Sequence, residues 1–285
     1  METRRFTGHG GIGLVGDVFG PPDGAPVILL HGGGQTRHSW TGAMQRLAGE
    51  GYCVLNLDLR GHGDSDWAAD GDYGEAAVGA DVLAVAATLR RPPALVGASL
   101  GGTAAYYAVA STRSRAAAAL VMVDIGLRGA GEGSARITGF MAAHPEGFAT
   151  LEQAVAAVAA FNPTRLSTPD PDGLRRNLRQ RGDGRFYWHW DPRLLHYGRP
   201  DVLALRHDAL VAMSTGVTVP VLLVRGEHSD VVSDEIVAEM RGLIPKTEVF
   251  AVPGAGHMVA GDRNDAFNQA TIAFLRRHYP AGSIR

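Results

Sequence analysis

Six short apolar runs divide the chain, at 26–30, 52–57, 94–96, 118–124, 219–224 and 247–252. Each is nearly continuously apolar, the pattern of a strand covered on both faces. Stretches of helical length lie between most of them, at 38–49, 76–90, 100–112, 232–242 and 264–278. Strands alternating with helices predict a parallel sheet joined by right-handed crossovers. Residues 6–19 alternate weakly around glycines and predict an antiparallel hairpin on the sheet edge.

The alternation stops at Asp124 and resumes near Val219. Between them come a glycine-rich stretch at 126–133, an alanine-rich helix near 151–160 and a Pro/Asp turn at 168–172. A basic helix is predicted at 174–181, an extended aromatic run at 186–190 and a last helix near 200–213. The segment reads as a helical insertion between two sheet strands. The expected organisation is therefore a core of 1–125 and 216–285 with a helical cap of 126–215.

Composition narrows the class without changing that picture. The 285 residues are 45% hydrophobic and 20% charged, enough to bury a large core. Net charge is −2 and Lys246 is the sole lysine, so no basic run suits nucleic acid or an anionic membrane. Cys53 is the one cysteine, which rules out an internal disulfide. No apolar stretch reaches about 18 residues, and Arg4-Arg5 reads as a polar N-terminus, so a cytoplasmic protein is expected.

The candidate chemistry sits at strand ends. Gly97-Ala98-Ser99-Leu100-Gly101 places one serine between a strand and an alanine-rich helix, where a sharp turn would expose its hydroxyl. The flanking glycines fit because a Cβ there would clash with strand and helix. His31-Gly32-Gly33-Gly34 follows the strand at 26–30. Acyl transfer needs two N–H donors for an oxyanion, and Gly33 and Leu100 are the candidates. A serine also needs a histidine base and an orienting carboxylate. His257 follows the strand at 247–252, and Asp230 follows the strand at 219–224. Asp58 and Arg60 read as a structural pair. Asp58, His62, Asp64 and Asp66 match no metal-ligand spacing, so no metal is expected.

These motifs together resemble the α/β-hydrolase fold, most closely its capped branch of epoxide hydrolases, haloalkane dehalogenases, cofactor-free haloperoxidases, lactonases and carboxylesterases. Asp58-Leu59-Arg60-Gly61-His62-Gly63-Asp64-Ser65 and Gly254-Ala255-Gly256-His257 add to the match. The resemblance covers about 1–125 and 216–285. It implies a mostly parallel sheet of about eight strands flanked by helices, with the cap inserted after the sixth. Epoxide hydrolases and dehalogenases carry Asp at the turn; Ser99 instead implies acyl chemistry through an acyl-enzyme. Met258 stands where carbon–carbon hydrolases of the branch carry Trp after the histidine. The resemblance also makes Asp124, at the end of the run at 118–124, the alternative acid to Asp230, because some relatives supply it from that position.

The expected substrate is a small carboxylic ester or lactone, with no cofactor, in a monomer or homodimer. The other readings are a perhydrolase or haloperoxidase-like activity, a carbon–carbon bond hydrolase, and a non-hydrolysing receptor. Candidate pocket residues are Gly34, Phe140, Met141, Phe161, Trp188, Trp190 and Met258. Arg175, Arg176, Arg179 and Arg181 read as a solvated cationic surface, with a substrate carboxylate as the alternative partner.

Overall fold

Strands β1 (Glu2–Thr7) and β2 (Gly13–Phe19) form the antiparallel edge hairpin that the alternation predicts. The six apolar runs become β3 (Pro26–Leu30), β4 (Cys53–Leu57), β5 (Ala94–Ala98), β6 (Ala119–Val123) and, after the insertion, two further strands at Val221–Gly226 and Thr247–Val252. The structure is a computed structural model that describes residues 1–128, 131–161, 171–257 and 264–282.

Helices α1 (Thr41–Gly49), α2 (Glu75–Ala86) and α3 (Leu100–Ser111) connect the first strands. The insertion carries α4 (Gly131–Ala142), α5 (Leu151–Phe161), α6 (Pro171–Arg175), β7 (Leu178–Gln180), β8 (Phe186–Trp188) and α7 (Pro200–Ala212). The chain then returns through β9 (Val221–Gly226), α8 (Asp234–Leu243), β10 (Thr247–Val252) and α9 (Asn264–His278). Eight strands form one sheet in the order β1-β2-β4-β3-β5-β6-β9-β10. From β4 to β10 every pairing is parallel.

Both faces of the sheet are covered, which explains the unbroken apolar runs. Along β3, Ile28 and Leu30 join one core with Val82 of α2 and Val109 of α3. Val27 and Leu29 join the other, with Met44 of α1 and Phe274 of α9. Among the described residues no helix is long and apolar enough to cross a membrane.

The basic stretch 174–181 departs from its predicted helix. The helix stops at Arg175, and Leu178–Gln180 pairs antiparallel with Phe186–Trp188. The intervening Gly182-Asp183-Gly184, with Gly184 at φ 79°, makes a turn that closes this hairpin. Burying Leu178 and packing Arg181 over the Tyr187 ring, 3.9 Å to its centroid, outweigh the helix propensity of the leucines and arginines.

The predicted Asp58–Arg60 pair is also replaced by two others. Asp58 binds the buried Arg37, which also reaches Asp17 (3.2 Å) and Asp64 (2.8 Å). Arg60 forks onto Asp81 of α2 at 2.6 and 2.7 Å. Both pairs anchor the loop after β4 to its neighbours, so Asp58 and Asp64 are occupied as ion-pair partners.

Candidate active site

Ser99 stands between β5 and α3 with φ 46° and ψ −115°. A non-glycine residue held there stores strain, and such strain collects at functional turns. The glycines behave as the sequence requires. A Cβ on Gly97 would strike the carbonyl of Gly101, and one on Gly101 would strike that of Leu30. Strand, turn and helix can approach this closely only with glycine at both places. The Ser99 N–H donates to Val123 O at 3.1 Å, tying the turn to β6.

The carboxylate facing His257 is Asp124, and the assignment to Asp230 is corrected. His257 Nδ1 lies 2.7 Å from Asp124 Oδ2, with the ring 11% and the carboxylate 1% exposed. Asp124 also accepts from the Gly226 N–H (2.9 Å) and the Ser229 hydroxyl (2.7 Å). These donors come from β9 and the loop after it. Asp230 is 42% exposed and forms an ion pair with Arg136 of α4 at 2.8 Å. The inward place in that loop belongs to Ser229, one residue earlier. Its hydroxyl also accepts from the N–H of Val231 and Val232, which turns the next side chain away.

The glycine loop resolves into three amides with different fates. The Gly32 N–H donates to Gln35 Oε1 (3.1 Å), and the Gly34 N–H donates to His62 Nε2 (3.1 Å). Among the described residues the Gly33 N–H has no partner. Leu100 opens α3, so its N–H is among the donors a helix start leaves unpaired. Gly33, Leu100, Ser99 and His257 all line one cavity of about 580 Å³. That volume suits a small organic substrate.

Behind the loop lies a row of buried histidines whose contact with one another the sequence did not reveal. The ring centroids of His31 and His62 are 5.0 Å apart, and those of His62 and His189 are 5.8 Å apart. His31 Nδ1 donates to Gly32 O while its Nε2 accepts from Leu59 N–H. His62 Nδ1 donates to Arg60 O, which leaves Nε2 to accept from Gly34. His189 Nδ1 accepts from Gly63 N–H and joins the insertion to this loop.

Each ring must be neutral to accept. Burial pushes His31 down to about 4 and His62 to about 3, and holds His189 well below 6.5. The unfolded chain therefore binds protons below about pH 6.5 that the folded one refuses. Stability should fall as pH drops from about 6.5 towards 4, by about 1.4 kcal/mol per pH unit for each such ring. Urea denaturation at about pH 7.5, 6 and 5 should show the midpoint moving steadily down. A constant midpoint would count against neutral rings.

The cavity collects the predicted pocket residues Gly34, Phe140, Met141, Phe161, Trp188 and Trp190. Met258 lies outside the described residues. Phe140 stacks on Phe161 at 4.2 Å, and Trp188 stacks on Trp190 at 4.8 Å. Met141 of α4 and Trp190, just past the hairpin, lie over Gly34, so the insertion roofs the glycine loop. Of the four predicted surface arginines, Arg176 reaches the cavity rim, while Arg179 binds Gly63 O and Asp64. Arg206 of α7 lines the cavity without having been singled out from sequence.

A parallel sheet with a strained serine turn and an aspartate–histidine pair at neighbouring strand ends defines an α/β hydrolase. The chain belongs to the Alpha/beta hydrolase family, whose profile matches residues 27–270. It is 31% identical over 245 residues to esterase Rv0045c of Mycobacterium tuberculosis, covering 83% of this chain and 78% of that one. It is 30% identical over 261 residues to the sn-1-specific diacylglycerol lipase ABHD11 of Mus musculus, covering 87% and 80%. The solved structure of E-2-(acetamidomethylene)succinate hydrolase superposes with a TM-score of 0.83 at 25% identity, covering 96% and 98%. These relatives support a hydrolase in general; their names differ in substrate.

Proposed function

We propose that the protein is a serine hydrolase that cleaves a small carboxylic ester or lactone beneath a cap formed by residues 126–215. The observation that carries this reading is the placement of Ser99, on a strained turn, in the same cavity wall as His257 with its Asp124 partner. Ser99 Oγ attacks the carbonyl carbon, and His257 Nε2 takes its proton. Asp124 holds Nδ1 protonated and stabilises the imidazolium. The N–H groups of Gly33 and Leu100 face the oxyanion. The carbonyl re-forms and the alcohol leaves with the proton from His257. Water, activated by the same ring, then releases the acid and restores the serine.

The stacked rings of Phe140, Phe161, Trp188 and Trp190 supply an apolar wall for the substrate's carbon skeleton. The test is a panel of p-nitrophenyl esters and lactones of increasing length, run beside labelling with a fluorophosphonate. Turnover should accompany a single adduct on the peptide that contains Ser99. Turnover with no adduct on that peptide, or no turnover of any ester or lactone, overturns the reading.

A further inference from the structure

The cavity wall is charged in one sense only. Among the described residues that line it there is no aspartate or glutamate, and the two fixed charges are Arg176 and Arg206. Arg176 lies at the exposed rim. The side chain of Arg206 is 16% exposed, and so is that of its partner Glu75, the first residue of α2. Glu75 Oε1 takes Nη1 of Arg206 at 3.0 Å. Nε of Arg206 is buried and has no hydrogen-bond partner among the described residues.

The geometry of the guanidinium gives this meaning. Nη1 lies on the Cδ side of the group, whereas Nε shares its edge with Nη2. That edge is the one that forks onto a carboxylate with two parallel hydrogen bonds. Glu75 therefore orients the head from one side and leaves the carboxylate-binding edge unclaimed at Nε. Nε is closed off at rest, so a turn of the Arg206 head toward the cavity would let a ligand carboxylate satisfy a donor otherwise left unmade.

Resting on the serine-hydrolase reading, we propose that Arg206 selects substrates that carry a free carboxylate remote from the bond attacked by Ser99. The apolar rings hold the connecting carbon chain, and Arg206 binds the acidic end. Cationic Arg176 at the rim draws anions inward, and the absence of acidic lining spares them repulsion.

Mono-p-nitrophenyl adipate and its methyl ester differ in one charge at nearly equal length. The wild type should prefer the acid at least about tenfold in kcat/KM, and Arg206→Met should bring the ratio to within about threefold of unity, mainly through KM. Glu75→Gln removes the charge of the pair but keeps an oxygen for Nη1 to hold the head in place, and it keeps the cation, so the preference should persist. Loss of preference in Glu75→Gln as well would assign Arg206 a structural role and overturn the proposal, as would equal use of both esters by the wild type.

Adipate binding to Ser99→Ala, measured by calorimetry with and without Arg206→Met, separates the two readings. Arg206-dependent binding without turnover of either ester by the wild type keeps the anion site and sinks the hydrolase. Turnover with no Arg206-dependent binding sinks the anion site and keeps the hydrolase.

Discussion

Asp124→Asn should lower kcat by about 10⁴-fold, while Asp230→Asn should leave it within about threefold of the parent. The first figure corresponds to about 5.5 kcal/mol of lost transition-state stabilisation. Asp124 is buried and presents Oδ2 to His257 Nδ1 at 2.7 Å. That contact fixes the tautomer with its proton on Nδ1, which leaves Nε2 free to take a proton from Ser99. An asparagine can offer an N–H to the ring, favouring the other tautomer with Nε2 already protonated. It also removes the negative charge that would balance an imidazolium.

Asp230 has neither role. Its partner is Arg136, and it is 42% exposed, so its removal should alter a surface ion pair of small energetic weight. Steady-state kinetics of the two variants on one p-nitrophenyl ester decide the matter. A severe loss in Asp230→Asn with a mild one in Asp124→Asn would overturn the assignment. Ser229→Ala should sit between, because it removes one of the donors that hold the Asp124 carboxylate.

This correction shows where sequence pattern stops carrying information. The strands were legible because a sheet buried on both faces demands unbroken apolar runs, and Ile28 and Val27 need only be apolar to serve opposite cores. The serine turn was legible because only glycine tolerates the approach of Gly97 to Gly101 and of Gly101 to Leu30. Which carboxylate faces His257 depends on something finer. Asp124 and Asp230 both follow strands, and their order in the chain satisfies either choice. What separates them is the direction of one side chain, set by Ser229 capping the next amides and by Gly226 offering its N–H to Asp124.

The insertion was the least legible part for a related reason. Leu174, Arg175 and Leu178 carry helix propensity, yet the Gly182-Asp183-Gly184 turn and the pairing of Leu178 with Trp188 draw the end of that stretch into a hairpin. Its aromatic content did point to the cavity. Its cationic content did not: Arg179 and Arg181 are absorbed by Asp64 and Tyr187, whereas Arg206 reaches the cavity from α7. No local motif marks a residue by the cavity that its helix faces.

Ser99→Ala should remove all but a residue of the activity, lowering kcat on an ester by on the order of 10⁴-fold or more. Under the proposed mechanism the substitution deletes the one atom that would form the acyl bond, while leaving the rest of the cavity intact. The remaining activity has a floor because the amides of Gly33 and Leu100 would still face a developing oxyanion, and His257 could still activate a water directly. The fold should tolerate the change. Ser99 Oγ has no hydrogen-bond partner among the described residues, so alanine strands no buried group. The positive φ that strains Ser99 strains alanine to a similar degree. Thermal melting within about a degree or two of the parent, together with the kinetic loss and the disappearance of fluorophosphonate labelling, is therefore the expected joint result. Equal turnover by the two proteins would show that the chemistry lies elsewhere, and retained labelling in Ser99→Ala would show that another nucleophile takes the acyl group. Ser99→Cys sharpens the test. A thiolate at the same strained turn can still be acylated, so an ester burst that stalls at one equivalent would mark residue 99 as the point of attack.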